Sequence, residues 1–353
     1  MVDLRPSVLG TAIQTPPFTK DTDEILKDME GHLADQDERF RRKILRIFKY
    51  AQVDRRYSII PADDVLGQLS FEEKNDRYVK GVIELATQVL AKGLKDANVQ
   101  AEEIDYIITV SCTGFMIPSV DAYLINAFGM RQDVVRLPVT EMGCAAGVSA
   151  MIYATNFLKA NPGKKVAIVS VESPMSTFQL QDFSMANMVS AAIFGDGAAC
   201  VILGSDENSS GPRVMDTNMY HFYDETDLMG FRLRNSGFEM VLDVKVPDTI
   251  EAHFEKIIFP FLERNQLKIE DIDHLIFHPG GKKIIQMVEG LFGALGKNID
   301  QTKAVLRNYG NMSSATVLYV LHQFLEKGIK AGDKGLMLSF GPGFSAQTVL
   351  LEW

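Results

Sequence analysis

Glu102-Glu103-Ile104-Asp105-Tyr106-Ile107-Ile108 returns later in the chain as Glu270-Asp271-Ile272-Asp273-His274-Leu275-Ile276, an offset of 168 from Ile104 to Ile272. In both copies an acidic turn runs into a short apolar strand, and in both a helix-like stretch comes first, over 78–96 and 249–265. Two further registers agree. Gly143-Cys144-Ala145 and the helical pattern after it match Gly310-Asn311-Met312 and its helix, 167 residues on from Cys144; Lys165 to Ser170 matches Lys334 to Ser339, 169 on from Ser170. Similarity held at one period marks a duplicated supersecondary unit; chance likeness of short apolar segments is the alternative. Alternating strands and helices predict two α/β halves, each with a mainly parallel sheet covered by helices, joined somewhere between Gly204 and Met240. Related halves meet about a pseudo-twofold axis. The register therefore makes Cys144 and Asn311 equivalent and brings a thiol and an amide from two helix N-termini to one cavity.

The stretch around the thiol reads Val139-Thr-Glu-Met-Gly-Cys-Ala-Ala-Gly-Val-Ser149. Small residues flank Cys144 and lead into an apolar helical pattern through Ile152, Tyr153 and Leu158, which puts the sulfur at a helix N-terminus. There the helix dipole favours a thiolate, and the small neighbours leave room for an acyl thioester. A small buried hydrophobe is the plainer reading of the same residue. A base is available in His278, at the end of the second repeated strand, where sites of parallel sheets gather. The Pro279-Gly280-Gly281 that follows breaks the strand and lets the backbone approach a ligand. His32, His221, His253, His274 and His322 lack that setting.

Composition sets bounds. The chain has 353 residues, 46% hydrophobic and 23% charged, an ordinary globular balance with enough length for one or two domains. A net charge of -10 argues against nucleic-acid partners. No stretch approaches about 18 consecutive apolar residues, and no basic segment followed by an apolar run opens the chain, so a soluble cytoplasmic protein without a membrane span is expected. Three cysteines, Cys112, Cys144 and Cys200, are too few for a disulfide framework, and no Cys-x-x-Cys or His cluster suggests a metal. One local basic feature stands out. Over 38–52, Phe40, Ile44, Ile47, Phe48 and Ala51 share one helical face and Arg39, Arg42, Arg46 and Lys49 the other. The basic face is either simply solvated or a landing site for phosphates, which arginine forks match well.

Taken together, Gly143-Cys144, Phe194-Gly195-Asp196-Gly197-Ala198-Ala199, Phe277-His278-Pro279-Gly280-Gly281, Tyr309-Gly310-Asn311-Met312-Ser313-Ser314-Ala315 and Phe340-Gly341-Pro342-Gly343 resemble the signature set of type III polyketide synthases, the chalcone-synthase-like family, over nearly the whole chain. The resemblance implies a bacterial member with the thiolase fold: two duplicated βα halves about a pseudo-twofold axis, in five αβαβα layers. Residues 1–205 would form the half with the coenzyme A tunnel helix and the nucleophile, and 206–353 the half with His278 and Asn311. It further implies a homodimer working on an acyl-CoA starter and malonyl-CoA, with no metal and no separate cofactor.

The implied mechanism assigns roles by residue. Cys144, as a thiolate paired with protonated His278, takes the acyl group; His278 and Asn311 donate hydrogen bonds to the malonyl thioester oxygen as decarboxylation builds enolate charge. Claisen condensation on the Cys144 thioester extends the chain, and repeated cycles end in a pyrone, resorcinol or phloroglucinol type ring. The Cys144 amide and the loop from Gly341 to Phe344 form the oxyanion hole, and Gly341, Pro342 and Gly343 fall at pocket positions. Arg39, Arg42, Arg46 and Gly281 fall at coenzyme A positions, and Thr177 and the gatekeeper Phe194 at pocket positions. Three positions depart from the plant pattern. Met240 replaces a second gatekeeper phenylalanine, which suggests a more adaptable acyl pocket. Cys112 replaces a threonine, so that a hydrogen-bond group tied to ring closure becomes Cys112, Glu172 and Ser313, with a weak donor in it. Ile117 replaces a methionine that reaches across the dimer. The alternatives are an initiating ketoacyl synthase of fatty-acid synthesis, whose Gly-Gly-Gly-Phe-like and His-Gln-Ala-Asn motifs differ from Gly341-Pro342-Gly343-Phe344 and His278-Pro279-Gly280-Gly281, and a degenerate, non-catalytic interaction module.

Overall fold

The structure, a computed structural model, describes residues 5–205, 211–293 and 296–353. Before residue 206 come β1 (Ser7–Gln14), β2 (Phe18–Asp21), α1 (Thr22–His32), α2 (Glu38–Lys49), β3 (Arg55–Ser58), α3 (Ala62–Val65), α4 (Phe71–Asp96), β4 (Tyr106–Val110), α5 (Val120–Ala127), β5 (Val135–Val139), α6 (Ala146–Ala160), β6 (Lys165–Glu172), α7 (Met185–Ile193) and β7 (Gly197–Gly204). After residue 210 come β8 (Arg213–His221), β9 (Met229–Arg234), β10 (Gly237–Leu242), α8 (Val246–Arg264), β11 (His274–Phe277), α9 (Lys282–Gly293), α10 (Asp300–Tyr309), α11 (Thr316–Lys327), β12 (Lys334–Gly341) and β13 (Ser345–Glu352). The expected boundary between residues 205 and 206 falls at the edge of 206–210, which lies outside the described residues.

The main sheet runs β11-β12-β13-β8-β1-β7-β6-β4-β5. It is two half-sheets that meet at β1 and β8, where Ser7 opposite Arg213 is the paired position. Strand alternation sends neighbouring residues to opposite faces. Ile107 packs with Val82, Val89 and Leu90 of α4, while Ile108 packs with Val148 and Met151 of α6. The same core holds Leu318 and Val320 of α11 against Ile276 and Met337 of the other half-sheet. Beyond that half-sheet, Ile257 and Phe261 of α8 and Val288 of α9 pack on Leu275 and Leu338. The order is thus α4 and α5, half-sheet, α6 and α11, half-sheet, α8 and α9. Five layers place α6 and α11 in the middle, buried on both sides.

The duplication is real but its details differ from the sequence reading. Parallel pairing is confined to β4 with β5, β4 with β6, and β11 with β12. The halves are therefore mixed rather than mainly parallel, because β7 and β13 return as antiparallel hairpin-like partners of β6 and β12. The strand β5 has no strand counterpart; α10 lies at that point of the second half. The register at the central helices also shifts. Short 3-10 turns at Gly143–Ala145 and Ser313–Ala315 lead into α6 and α11, an offset of 170 from Gly143 to Ser313. Ser314, not Asn311, therefore occupies the place that corresponds to Cys144. Asn311 stands one turn earlier in the chain.

Local sequence explains the elements nearest the site. Asp37 caps α2 by accepting from the Phe40 backbone N–H at 3.0 Å. That helix buries Ile44 and Phe48 and leaves Arg39, Arg42, Arg46 and Lys49 exposed, as its amphipathic pattern predicts. Ser70 and Glu73 form a capping box that starts α4.

Candidate active site

Cys144 lies in the 3-10 turn ahead of α6. Gly143 adopts φ +50°, and a Cβ on it would meet Pro342 Cδ at 2.6 Å, so only glycine lets the loop after β12 close over this turn. From the same side, a Cβ on Gly341 would meet the Met142 carbonyl at 2.5 Å and the Ala145 amide nitrogen at 2.8 Å. The Ser339 hydroxyl donates to the Cys144 carbonyl at 2.7 Å, which pins the turn to β12.

His278 follows β11, and its backbone N–H donates to the Leu338 carbonyl at 3.0 Å. Asn311 is held by main-chain bonds on both sides: its N–H donates to the Ile193 carbonyl at 2.7 Å, and its carbonyl accepts from Gly195 at 3.1 Å. Its side-chain Oδ1 accepts from the Ser313 N–H at 2.8 Å and the Thr316 hydroxyl at 3.3 Å. The Nδ2 donor is thereby the end of the amide left for a ligand. Cys144, His278 and Asn311 line one cavity of ≈ 60 Å³, shared with Cys112, Phe194 and Met240. Ser313 and Pro342 line it as well. Three elements far apart in sequence thus deliver the thiol, the imidazole and the amide to one point.

Charge in this cavity is governed by desolvation. Cys144 keeps some accessible surface, but that surface faces the cavity and protein encloses the sulfur elsewhere. Burial pushes its thiol up to about 12, opposed by the hydrogen bond to Ser313. His278 is buried, both ring nitrogens lack a hydrogen-bond partner, and burial pulls it down to about 3. Desolvation in this cavity thus favours the neutral thiol and the neutral imidazole, in opposition to the thiolate and imidazolium pair that the resemblance implies. A neutral imidazole is nonetheless the form able to accept the thiol proton.

Glu172 is fully buried at the end of β6, and burial raises its pKa. It accepts from the Cys112 N–H at 3.0 Å, the Thr113 hydroxyl at 2.8 Å and the Cys112 thiol at 3.5 Å. The Ser314 hydroxyl also donates to it. Ser313, by contrast, touches the sulfurs: its Oγ is 3.4 Å from Cys112 Sγ and accepts from the Cys144 thiol at 3.6 Å. The expected group of Cys112, Glu172 and Ser313 is therefore real but incomplete. Ser314 and Thr113 make the short contacts to the carboxyl. Both sit next to residues picked out by their motifs, and neighbouring hydroxyls beside a buried Glu were the available signal.

The remaining expected positions divide. Thr177 is buried and donates its hydroxyl to the Pro174 carbonyl at 2.7 Å, outside the cavity lining, where Pro174 stands instead. Ile117 is 83% exposed, in a cis bond to Pro118, and is not part of the cavity in this chain. Gly281 and Gly343 adopt φ +142° and +68° beside the site without lining it. Phe231, Ile193 and Ile284 also line it and carried no motif, while Gly280 of the His278 motif lines it too. Arg39, Arg42 and Arg46 stay exposed on α2, and Arg46 and Lys282 both approach the Tyr50 ring, at 6.0 and 5.8 Å from its centroid. Lys282 opens α9, between the cavity-lining Gly280 and Ile284. Among the described residues no three His, Cys, Asp or Glu side chains group as a metal site needs, and no helix is long and apolar enough to cross a membrane.

Two family models match this chain: the chalcone and stilbene synthases N-terminal domain over residues 21–207 and their C-terminal domain over 216–353. Among curated relatives, the 1,3,6,8-tetrahydroxynaphthalene synthase of Streptomyces peucetius subsp. caesius is 34% identical, over 87% of this chain and 83% of the relative. The phloroglucinol synthase of Pseudomonas fluorescens is 29% identical, over 87% and 88%. Among solved structures, the 1,3,6,8-tetrahydroxynaphthalene synthase of Streptomyces coelicolor A3(2), a bacterial type III polyketide synthase, superimposes with a TM-score of 0.93 at 28% identity, covering 98% of this chain and 99% of that one. These matches lend no weight to an initiating ketoacyl synthase.

Proposed function

The chain belongs to the chalcone and stilbene synthase family, and from that premise we propose that Cys144, His278 and Asn311 divide the work of its chemistry. It is a type III polyketide synthase, an acyltransferase with the thiolase-like fold. In the proposed cycle the Cys144 thiol gives its proton to the neutral His278 imidazole as the sulfur attacks an acyl-CoA carbonyl. Coenzyme A then leaves with that proton. Malonyl-CoA next loses carbon dioxide, and the electron pair left by the broken C–C bond becomes enolate charge on its thioester oxygen. Hydrogen bonds from His278 and from Asn311 Nδ2 receive that charge. The enolate carbon attacks the Cys144 thioester, a C–C bond forms, and the sulfur departs as thiolate. Reloading and repetition lengthen the chain, which then cyclises. Coenzyme A thioesters are the substrates throughout.

The observation that supports this reading best is that the three side chains, from three distant segments, line one enclosed cavity. We assign the exposed Arg39, Arg42 and Arg46, joined by Lys282, to the phosphates of coenzyme A. We also take residues 1–205 and 206–353 as the two duplicated units, place the enzyme in the cytoplasm beside its thioester substrates, and assign it a homodimer. The exposed Phe115 (60%) and Ile117 (83%), near the edge strand β5 with Val135 at 48%, offer the apolar surface a second copy would cover. The test is incubation with acyl-CoA and malonyl-CoA in the absence of any carrier protein, with products read by mass spectrometry. Extended, cyclised products are expected. Folded protein that yields none, or that works only with a carrier protein, overturns the reading.

A further inference from the structure

A second cavity, of ≈ 430 Å³, lies beside the small sheet of β2 and β3, and it shares no lining residue with the catalytic one. Helices α1, α2, α3 and α7 contribute Met29, Phe48, Val65 and Ala191 to its wall, and Phe178 joins them. The exposed Phe18 and Pro61 line it as well, so it opens to solvent on their side. Its volume and apolar wall are those of a small-molecule site. The last turn of α7 separates it from the chemistry: Ala191 faces this cavity, whereas Ile193 and Phe194 line the catalytic one.

Lys20, Asp28 and Arg56 are the charged side chains along this wall. Lys20 and Asp28 pair with each other and balance. Arg56 is only 3% exposed, and among the described residues no carboxylate meets it. Burial pulls its pKa to about 10, which still leaves it charged at neutral pH. The guanidinium donates to the Thr22 hydroxyl at 3.4 Å and to the Ala192 carbonyl, and it lies over the Phe48 ring, 5.8 Å from the centroid. Its Nε has no partner. These contacts hold the fork in place but supply no negative charge. A structural arginine that caps the end of α7 is the plainer reading, and it accounts for the bond to Ala192. It leaves a buried cation without a counterion, which proteins rarely tolerate, beside an open apolar cavity.

We propose that this cavity binds a monocarboxylate with an apolar body, aliphatic or aromatic, whose carboxylate pairs with Arg56 while the body lies against Met29, Phe48, Ile60 and Phe178. A single negative charge neutralises the wall, because Lys20 and Asp28 already cancel. Two carboxylate oxygens match the planar donor fork of arginine. A coenzyme A thioester does not fit, since its several phosphates would meet one unpaired cation. The face of α2 that carries Phe48 is also the one opposite Arg39, Arg42 and Arg46. The ligand is therefore a free acid and not an activated one, and the site stands whichever thioester Cys144 accepts.

Isothermal titration calorimetry of the whole protein with decanoate and with naphthoate, an aliphatic and an aromatic probe, tests the site. At least one should bind. Decanol keeps the body of decanoate without the charge, and it should bind about tenfold or more weakly than the tighter carboxylate. Arg56→Met should weaken that carboxylate by a similar factor and leave decanol nearly unchanged, a split that general loss of structure does not produce. If Arg56→Met fails to fold, Ala62→Trp decides: it fills the cavity from the short helix α3, leaves Arg56 in place, and should abolish binding of every probe. The proposal is overturned if neither carboxylate binds or if decanol binds as well as the tighter carboxylate. Undiminished binding in Ala62→Trp also overturns it, since the ligand then lies elsewhere, the catalytic cavity included.

Discussion

Replacing Asn311 with alanine separates the two halves of the proposed chemistry, and the structure gives the size of each effect. The Asn311 amide does two jobs. Its Nδ2 end is the donor offered to enolate charge, and loss of one such donor costs about 10²–10³-fold in rate. Its Oδ1 end accepts from the Ser313 N–H at 2.8 Å. In the variant that buried donor loses its acceptor, at roughly 1–3 kcal/mol. The Thr316 hydroxyl is less affected, because it also donates to the Ser313 carbonyl at 2.9 Å. Asn311→Ala should therefore fold with a modestly lower Tm and load starter onto Cys144 at a rate much closer to wild type than its malonyl-CoA decarboxylation rate. Loading is followed by intact mass with acyl-CoA alone, and decarboxylation by conversion of malonyl-CoA to acetyl-CoA on a chromatogram. The reasoning is refuted if the folded variant decarboxylates like wild type, or if loading falls as far as decarboxylation does.

Three further outcomes follow from the same geometry. Cys144→Ala should abolish acylation yet keep malonyl-CoA decarboxylation, since His278 and Asn311 remain; loss of both activities in a folded variant would break this division of labour. Cys112→Thr places a stronger donor beside Glu172, in contact with Ser313, and should alter the proportions of ring types in the product, as read by mass spectrometry and NMR; an unaltered mixture removes this group from the choice of cyclisation. Asp196 is fully buried beneath the Ile59 and Met175 N–H groups, and burial raises its carboxyl to about 7 from 3.8 in the unfolded chain. The folded state then holds the proton more tightly, so this group's contribution is fully present below pH 4 and is lost as pH rises to 7, roughly 4 kcal/mol in all. His278, depressed by burial, acts with the opposite sign between about 3 and 6.5, so the measurement is the difference in unfolding free energy between wild type and Asp196→Asn at pH 4 and pH 7. A difference that stays level across that range contradicts the assignment.

The sequence by itself determined the duplicated α/β fold and the chemical identities at its centre. The acidic turn and strand at Ile104 and again at Ile272 repeat because each half must bury the same kind of strand between helices. Cys144, His278 and Asn311 each sit beside small or helix-breaking residues that mark a close approach of the backbone. The face of α2 that carries Arg39, Arg42 and Arg46 was equally legible, since a period of 3.6 fixes which residues share a side. Tertiary structure alone decided the rest. Helix α6 is held by Ser339 and α11 by the Asn311 main chain, contacts between segments remote in sequence, and they shift the register so that Ser314 answers Cys144 and bonds Glu172. The ionisation of Cys144 and His278 was likewise invisible in the sequence, because a pKa depends on the water that packing removes and not on neighbours along the chain. The cavity beside Arg56 exists only once α1, α2, α3 and α7 are folded about it, for a volume is set by everything around it and no local pattern encodes that.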